Sequence, residues 1–469
     1  MKQSIIILFA VCMLTACNKY LDVAPRGYTL LNTTDDYNQW LDQRSLMGGV
    51  NDISGLNSLA DNVDQLTVLK GSTSPGDLVY TWAPQFNLDV TLRPPFWSDH
   101  YSNIYLFNAV INGVMGASGG STEQKQQLYA EGLLGRAFEY VYLLNLYGKV
   151  YDPATAGQDL SVPFVTSTDI SRNVPKRATV GQLYQQIVTD LNAAIANLPD
   201  NNSRNRYRGS KAAAYSVLAR ASLYARNYAE AGRNAQLALG SDPTLALVNY
   251  NQTTNLPDVM VSRECIYSRG GFAVDDIFLP PRPFMTPDFM SLFGPNDLRL
   301  REFYGLIDPT TGLPTQNYSD LTKRGTIVFN SNTFSYAFNV INAGTSVAEM
   351  KLIVAESAAR SGNLTNALQQ LNELRRTRLQ VAGNADLQSS DPAVVLDWVL
   401  RERRLEFPFN GIRWFDMRRL DKEGRMPAVK RYYGDGTLLA TLLPNSNAYT
   451  LQVPDYVLRF NPSMPQNVR

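Results

Sequence analysis

Glu402 and Glu406 stand four residues apart in a helically patterned stretch, so both carboxylates share one helix face. Paired carboxylates are what glycoside hydrolysis uses, one as acid and one as base or nucleophile. Arg401, Arg403, Arg404, Arg413, Arg418 and Arg419 crowd this pair, however. A catalytic acid needs a raised pKa, and neighbouring guanidinium groups push the other way. The pattern therefore reads as neutralised helix pairs and buried ion pairs, with Trp414 and Phe415 packing the helix end into the core. His100 is the only histidine. No multi-histidine metal site can be built from it, and it reads as a packed or hydrogen-bonded residue in an aromatic helix. Cys265 has no partner motif and reads as a small buried hydrophobe. Gly119-Gly120 and Gly270-Gly271 lack the strand–loop–Lys context of phosphate cradles and read as turns. No catalytic residue, metal or cofactor is expected.

Binding chemistry is better represented. Flat ligands with apolar faces and polar rims, such as sugar rings, are recognised by aromatic stacking plus amide, carboxylate or guanidinium hydrogen bonds. Such groups belong on loops held by a rigid scaffold. Tyr80, Trp82, Phe86, Asn87, Asp89, Arg93 and Trp97 cluster in a Pro-rich stretch. A second set lies further on: Phe284, Phe293, Asp297, Tyr304, Tyr318, Phe334 and Tyr336. For any single one of these aromatics, packing in the core is the competing role. Trp82 and Trp97 are the first to test as ligand contacts.

The elements that must position them are mostly helical. Helical patterning starts near Asp35, and residues 61–95 read as irregular because of their Gly and Pro. A helix is expected from about Phe96 to Met115. Ser121 or Thr122 caps a long helix that ends near Gly148. Residues 152–175 read as loop. Thr179 opens another helix, with Tyr184, Ile187, Val188, Leu191, Ile195 and Leu198 on one face. Two helices follow, about Lys211–Arg226 and Tyr228–Gly240. Residues 242–342 break the pattern, with short possible strands at Thr326–Phe329 and Phe334–Val340. Helices return at Ser346–Gln380 and from Asp391 to about Phe407.

Lys211–Pro243 fits a tetratricopeptide unit. Tyr215, Leu218 and Ala219 occupy the first-helix positions; Tyr228, Ala231, Ala235, Ala238 and Pro243 occupy the second. Ser222 departs from the usual aromatic. Lys351–Arg378 supplies a second unit through Val354, Ala355, Ala358, Ala367, Leu371 and Leu374, and Glu131–Gly148 supplies a helix of another. Units so far apart in sequence must stack in space, with the irregular segment as an insertion. The expected fold is mainly α: a tetratricopeptide-like helical-repeat scaffold with long loop and small β insertions. Residues 35–469 form one domain, with helix pairs at about 121–243 and 346–407 and an irregular insertion at about 244–342.

The N-terminus addresses location. Met1-Lys2, an apolar run through Met13, and Leu14-Thr15-Ala16-Cys17 make a secretory signal with a bacterial lipobox. Residues 1–16 are then cleaved, Cys17 is acylated, and residues 17–34 form a tether. No later run is long and apolar enough to span a bilayer. A formal net charge of +1 provides no steering field for nucleic acid. With Cys12 removed and Cys17 lipidated, Cys265 is left alone, so no intrachain disulfide forms.

Taken in order along the chain, these motifs resemble the SusD/RagB family of surface lipoproteins of gut and oral Bacteroidetes. The resemblance runs through Cys17–Gly27, then Trp97-Ser98-Asp99-His100-Tyr101-Ser102-Asn103-Ile104 with Asn108. It continues through Arg136-Ala137-Phe138, Leu146–Val150 with Val162-Pro163, Arg177–Tyr184 and Ala355-Glu356. Its most specific part is Arg401–Phe407 followed by Gly411 and Arg413–Arg419, where Pro408-Phe409 departs from the family pattern. The resemblance implies a ligand-binding lid that captures oligosaccharides outside the cell for a SusC-like TonB-dependent outer-membrane transporter, without catalysis. Alternatives are a peptide-capturing lid of the RagB type, a lipoprotein glycosidase, or a repeat scaffold that holds another protein.

Overall fold

Side-chain oxygens start most of the long helices, as their sequences require. Ser121 accepts from the Gln124 amide while Gln124 reaches back, and Thr179 does the same with Gln182. Ser210, Asn227, Ser346, Asn363 and Asp391 cap five more. The computed structural model describes residues 31–43, 45–46, 53–65, 68–253, 257, 259–271, 284–299, 327–328, 341–382, 385–408 and 410–469. The signal sequence, Cys17, Tyr304, Tyr318, Phe334 and Tyr336 lie outside them, as does the possible strand at Phe334–Val340.

In chain order the helices are α1 (Thr34–Leu41), α2 (Ile53–Leu59), α3 (Pro75–Tyr80), α4 (Ser98–Gly113), α5 (Thr122–Tyr147), α6 (Val180–Ile195), α7 (Lys211–Tyr224), α8 (Tyr228–Ser241), α9 (Pro287–Met290), α10 (Val347–Arg360), α11 (Leu364–Arg378), α12 (Pro392–Glu406), α13 (Arg413–Asp421) and α14 (Asp455–Phe460). Each main helix packs on the next: α4 on α5, then α6, α7, α8, α10 and α11, with α12 against α10 and α11. Short turns fold α8 back along α7 and α11 back along α10. The step from α8 to α10 crosses residues 242–346, so the repeats do stack in space across an insertion. Their approach is close. A Cβ on Gly232 would fall 2.4 Å from Ser357 Oγ. Ala219 and Ala231, the small residues of the first repeat, are fully buried. The fold is thus the mainly α, tetratricopeptide-like scaffold expected.

Strands are short, and their partners lie both near and far in the sequence. Leu160–Pro163 pairs antiparallel with Arg177–Thr179, Cys265–Tyr267 with Thr345–Ser346, and Val429–Tyr432 with Leu438–Leu442. Ile327–Val328 pairs with Phe284–Met285, inside one of the expected strands. Two expectations need correction. The stretch 61–95 is not wholly irregular: Ser74 accepts from the Asp77 amide and Pro75 sits at the first turn, so Pro and Gly here open α3 rather than break it. The loop expected at 152–175 also contains a strand, Leu160–Pro163.

Buried ion pairs bind the C-terminal helices to the stack. Arg403 donates to Asp416 at 2.9 and 3.1 Å, and Arg419 donates to Asp416 at 2.9 Å and to Glu356 at 2.6 and 2.8 Å. Arg220 of α7 holds Glu349 of α10 at 2.6 and 2.9 Å. Burial pushes the Glu356 carboxyl up, but Arg419, with Arg360 and Arg403, outweighs it and holds the group below its usual range. Asp416 is lowered in the same way by Arg403 and Arg419. Trp414 and Phe415 pack in the core as expected.

Candidate ligand-binding site

The loop between α3 and α4 is set by two aromatic residues in left-handed backbone. Trp82 has φ 53° and Phe96 has φ 61°, a conformation that bulky side chains rarely adopt. Trp82 closes α3 with the bonds of a Schellman cap: Ala83 N donates to Leu78 O at 2.8 Å, and Trp82 N donates to Val79 O at 3.0 Å. Glycine usually fills that position. Here the indole is the anchor that holds the geometry. It is 4 % exposed, its Nε1 donates to Leu59 O at 2.9 Å, and the Arg431 guanidinium lies 4.8 Å above the ring. Arg431 also covers Tyr80 at 4.3 Å. The Tyr80 hydroxyl donates to Asp64, and burial pushes its pKa up to about 12.

The named aromatics therefore divide. Tyr80 and Trp82 present no open face, because they form the socket beneath the loop. Trp97 is also interior, at 8 % exposure, between Tyr101 at 5.1 Å and Tyr147 at 4.9 Å. All three rings, named as candidate ligand contacts, are buried, and none of them lines the cleft that their neighbours form. Phe86 and Asn87 are half-buried, and Asp89 and Arg93 are exposed. Phe86 sits edge-on to Phe96 at 5.8 Å. Asn87 Oδ1 accepts from Asp89 N at 3.0 Å. Asp89 accepts from Thr91 Oγ1 at 2.6 Å and Thr91 N at 2.9 Å, and these bonds lower its pKa.

Phe86, Asn87 and Asp89 come together along one narrow surface cleft, whose enclosed volume is about 20 Å³. Gln85, Val90 and Leu92 continue that wall. Tyr147, Gln452, Pro454, Asp455 and Tyr456 supply the other side. Arg93 is not among the lining residues. The second wall was absent from the sequence reading. Its only local signal is Pro454-Asp455-Tyr456, a proline-led helix start bearing an aromatic; nothing in the sequence states that α14 faces residues 84–95. Of the second aromatic set, Asp297 is buried in an ion pair with Arg299 at 2.7 Å, and Phe293 packs on Phe289 at 5.3 Å.

The groups considered for chemistry are committed elsewhere. Arg299 Nη1 meets Glu402 at 2.7 Å, and Arg378 donates to Glu406 at 2.7 and 2.9 Å. His100 Nδ1 lies 2.6 Å from Glu139, and both are buried. Burial pushes the Cys265 thiol up to about 12. Among the described residues no group of His, Cys, Asp and Glu is arranged to hold a metal, and no helix is long and apolar enough to cross a membrane.

Comparison with known proteins bears on what such a cleft does. Residues 19–223 match a family described as SusD-like, starch-binding and associating with the outer membrane, and residues 346–468 match the SusD family. The chain belongs to the SusD/RagB family. This is a family of carbohydrate-binding proteins associated with the outer membrane. No curated protein matches the sequence significantly. Solved structures share the fold. A SusD superfamily protein from Bacteroides thetaiotaomicron is 20% identical with a TM-score of 0.73, covering 93% of this chain and 100% of that one. A SusD-like carbohydrate binding protein from Bacteroides vulgatus is 19% identical with a TM-score of 0.67, covering 92% and 97%. A SusD superfamily protein from Bacteroides fragilis is 18% identical with a TM-score of 0.71, covering 93% and 100%.

Proposed function

We propose that this SusD-like protein captures extracellular oligosaccharides in the cleft between residues 84–95 and α14. It then delivers them to a SusC-like TonB-dependent transporter, while acyl chains on Cys17 hold it at the outer membrane. The observation that carries the binding step is the lining of the cleft. Phe86 and Tyr456 offer rings from opposite walls, and Asn87, Gln452 and Asp89 offer the hydrogen-bonding rim that a sugar needs. A binding rather than catalytic role is supported by Glu402 and Glu406, whose carboxylates are engaged by arginines. The transporter and the lipid anchor rest on the family and on the lipobox.

Isothermal calorimetry on soluble protein beginning at Asn18 tests the capture step, with one panel of oligosaccharides and one of short peptides. Saturable heat with a glycan class is the expected result. Heat with peptides alone transfers the cleft to peptide capture. No heat with either panel overturns the capture reading.

A further inference from the structure

Apart from Tyr147 at the end of α5, the second wall of the cleft lies outside the helix stack, and it carries its own fastening. Asn467 Nδ2 donates to Leu451 O at 2.7 Å and to Tyr147 O at 2.8 Å. Gln452 Nε2 donates to Asn467 O at 3.2 Å. The Gln466 side chain accepts from Val453 N and donates to Val453 O, both at 2.7 Å. Arg177 completes the clasp from the strand before α6, donating to Pro465 O at 2.8 Å and to Asn467 Oδ1 at 2.6 Å. Apart from the two from Arg177, each bond ends on or beside a cleft residue. Tyr147, Gln452 and Pro454 line the cleft, and Val453 lies between the last two.

One further stitch joins the walls. Gln85 Nε2 donates to Val453 O at 3.2 Å, and Asp455 N donates to Gln85 Oε1 at 3.1 Å. Val453 O thus receives Gln466 from the tail and Gln85 from the loop. A two-point amide contact fixes both separation and rotation, which a single bond cannot do. Gln466 and Asn467 are only half-buried. They are poorly placed to matter for the core and well placed to matter for the wall.

We propose that Gln466 and Asn467 are positioning residues for the cleft. They hold 451–456 in place beside 84–95, and Gln85 bridges the two segments. This inference rests on the oligosaccharide reading of the cleft. Holding a site in its bound shape raises affinity by removing the ordering cost from the binding step.

The test pairs hydrogen exchange with calorimetry, on wild type, the Gln466→Ala/Asn467→Ala double variant, Gln85→Ala, and Leu191→Ala as a core control remote from the cleft. The probe is whichever of malto-, cello-, xylo- or manno-oligosaccharides gives the largest heat with wild type. The double variant should exchange amides in 451–457 faster, with the helix stack's exchange unchanged, and bind the probe at least about tenfold more weakly. Gln85→Ala should weaken binding without loosening the tail. Leu191→Ala should lower the midpoint and leave affinity unchanged. Affinity within about twofold of wild type for both the double variant and Gln85→Ala overturns the positioning role. Silence of wild type toward every glycan overturns the oligosaccharide reading itself, and this inference with it.

Discussion

Where α12 and α13 meet α7 and α10, the guanidinium groups of Arg220, Arg403 and Arg419 lie buried against Glu349, Glu356 and Asp416. Around the cleft the fastenings are mostly side-chain amides on backbone groups, Gln85, Gln466 and Asn467, with Arg177 donating to neutral acceptors rather than to a carboxylate. The two regions answer different demands. Buried ion pairs are intolerant of partial loss, because removing one partner leaves an uncompensated charge. They suit joints that need not move. Neutral amide contacts at a half-exposed surface are each worth about 1 kcal/mol, enough to fix a wall without fixing the whole molecule to it.

This contrast can be broken at the stack with the largest effect. Asp416→Ala removes the buried carboxylate that Arg403 and Arg419 share and should destabilise by about 3–5 kcal/mol, read as a shift in the urea midpoint. A loss below about 1 kcal/mol would mean that these pairs behave like exposed ones. Acid should act on the same joint more gradually. Glu356 and Asp416 have folded pKa values below their unfolded ones, so their contribution is full above the unfolded range near 4 and is lost as pH falls further. Glu264 and Asp421, raised mainly by burial, run the other way. The arginine-paired group, which also contains Asp61, is the larger. Urea midpoints should therefore hold from about pH 7 to 5 and fall between about pH 4 and 3; a flat profile would contradict the assignment.

At the cleft, stability and affinity should separate. Phe86→Ala or Tyr456→Ala removes one stacking ring and should weaken oligosaccharide binding by about tenfold, on the order of 1.4 kcal/mol. The unfolding midpoint should barely move, since both rings are only half-buried. Unchanged affinity in both variants would place the ligand elsewhere. The smallest effect is expected for Asp89→Asn. The amide oxygen can still accept from Thr91, so the turn persists and affinity for a neutral glycan should change by less than about twofold.

Several elements were legible in the sequence because their signals are local. Ser121 with Gln124 and Thr179 with Gln182 announce helix starts within four residues. Alanines at 219 and 231 announce a close helix pair. The ring of arginines around Glu402 and Glu406 announced ion pairs, although not which carboxylate each would meet. Arg299 and Arg378 come from outside that stretch to take them. The cleft was legible by half. Phe86, Asn87 and Asp89 were named, but so were Tyr80, Trp82 and Trp97. A large aromatic beside prolines looks the same in sequence whether its ring points outward or into the core.

By itself, then, the amino-acid order determined the helices, their pairing into repeats and the family to which the chain belongs, because caps, spacing and motif order are properties of neighbouring residues. Only the tertiary structure decided that Trp82 is a socket under Arg431, that Arg299 and Arg378 take Glu402 and Glu406, and that Tyr456 faces the loop bearing Phe86. Those are contacts between segments far apart in the chain. Such contacts depend on how all the intervening elements pack, and no local pattern records them.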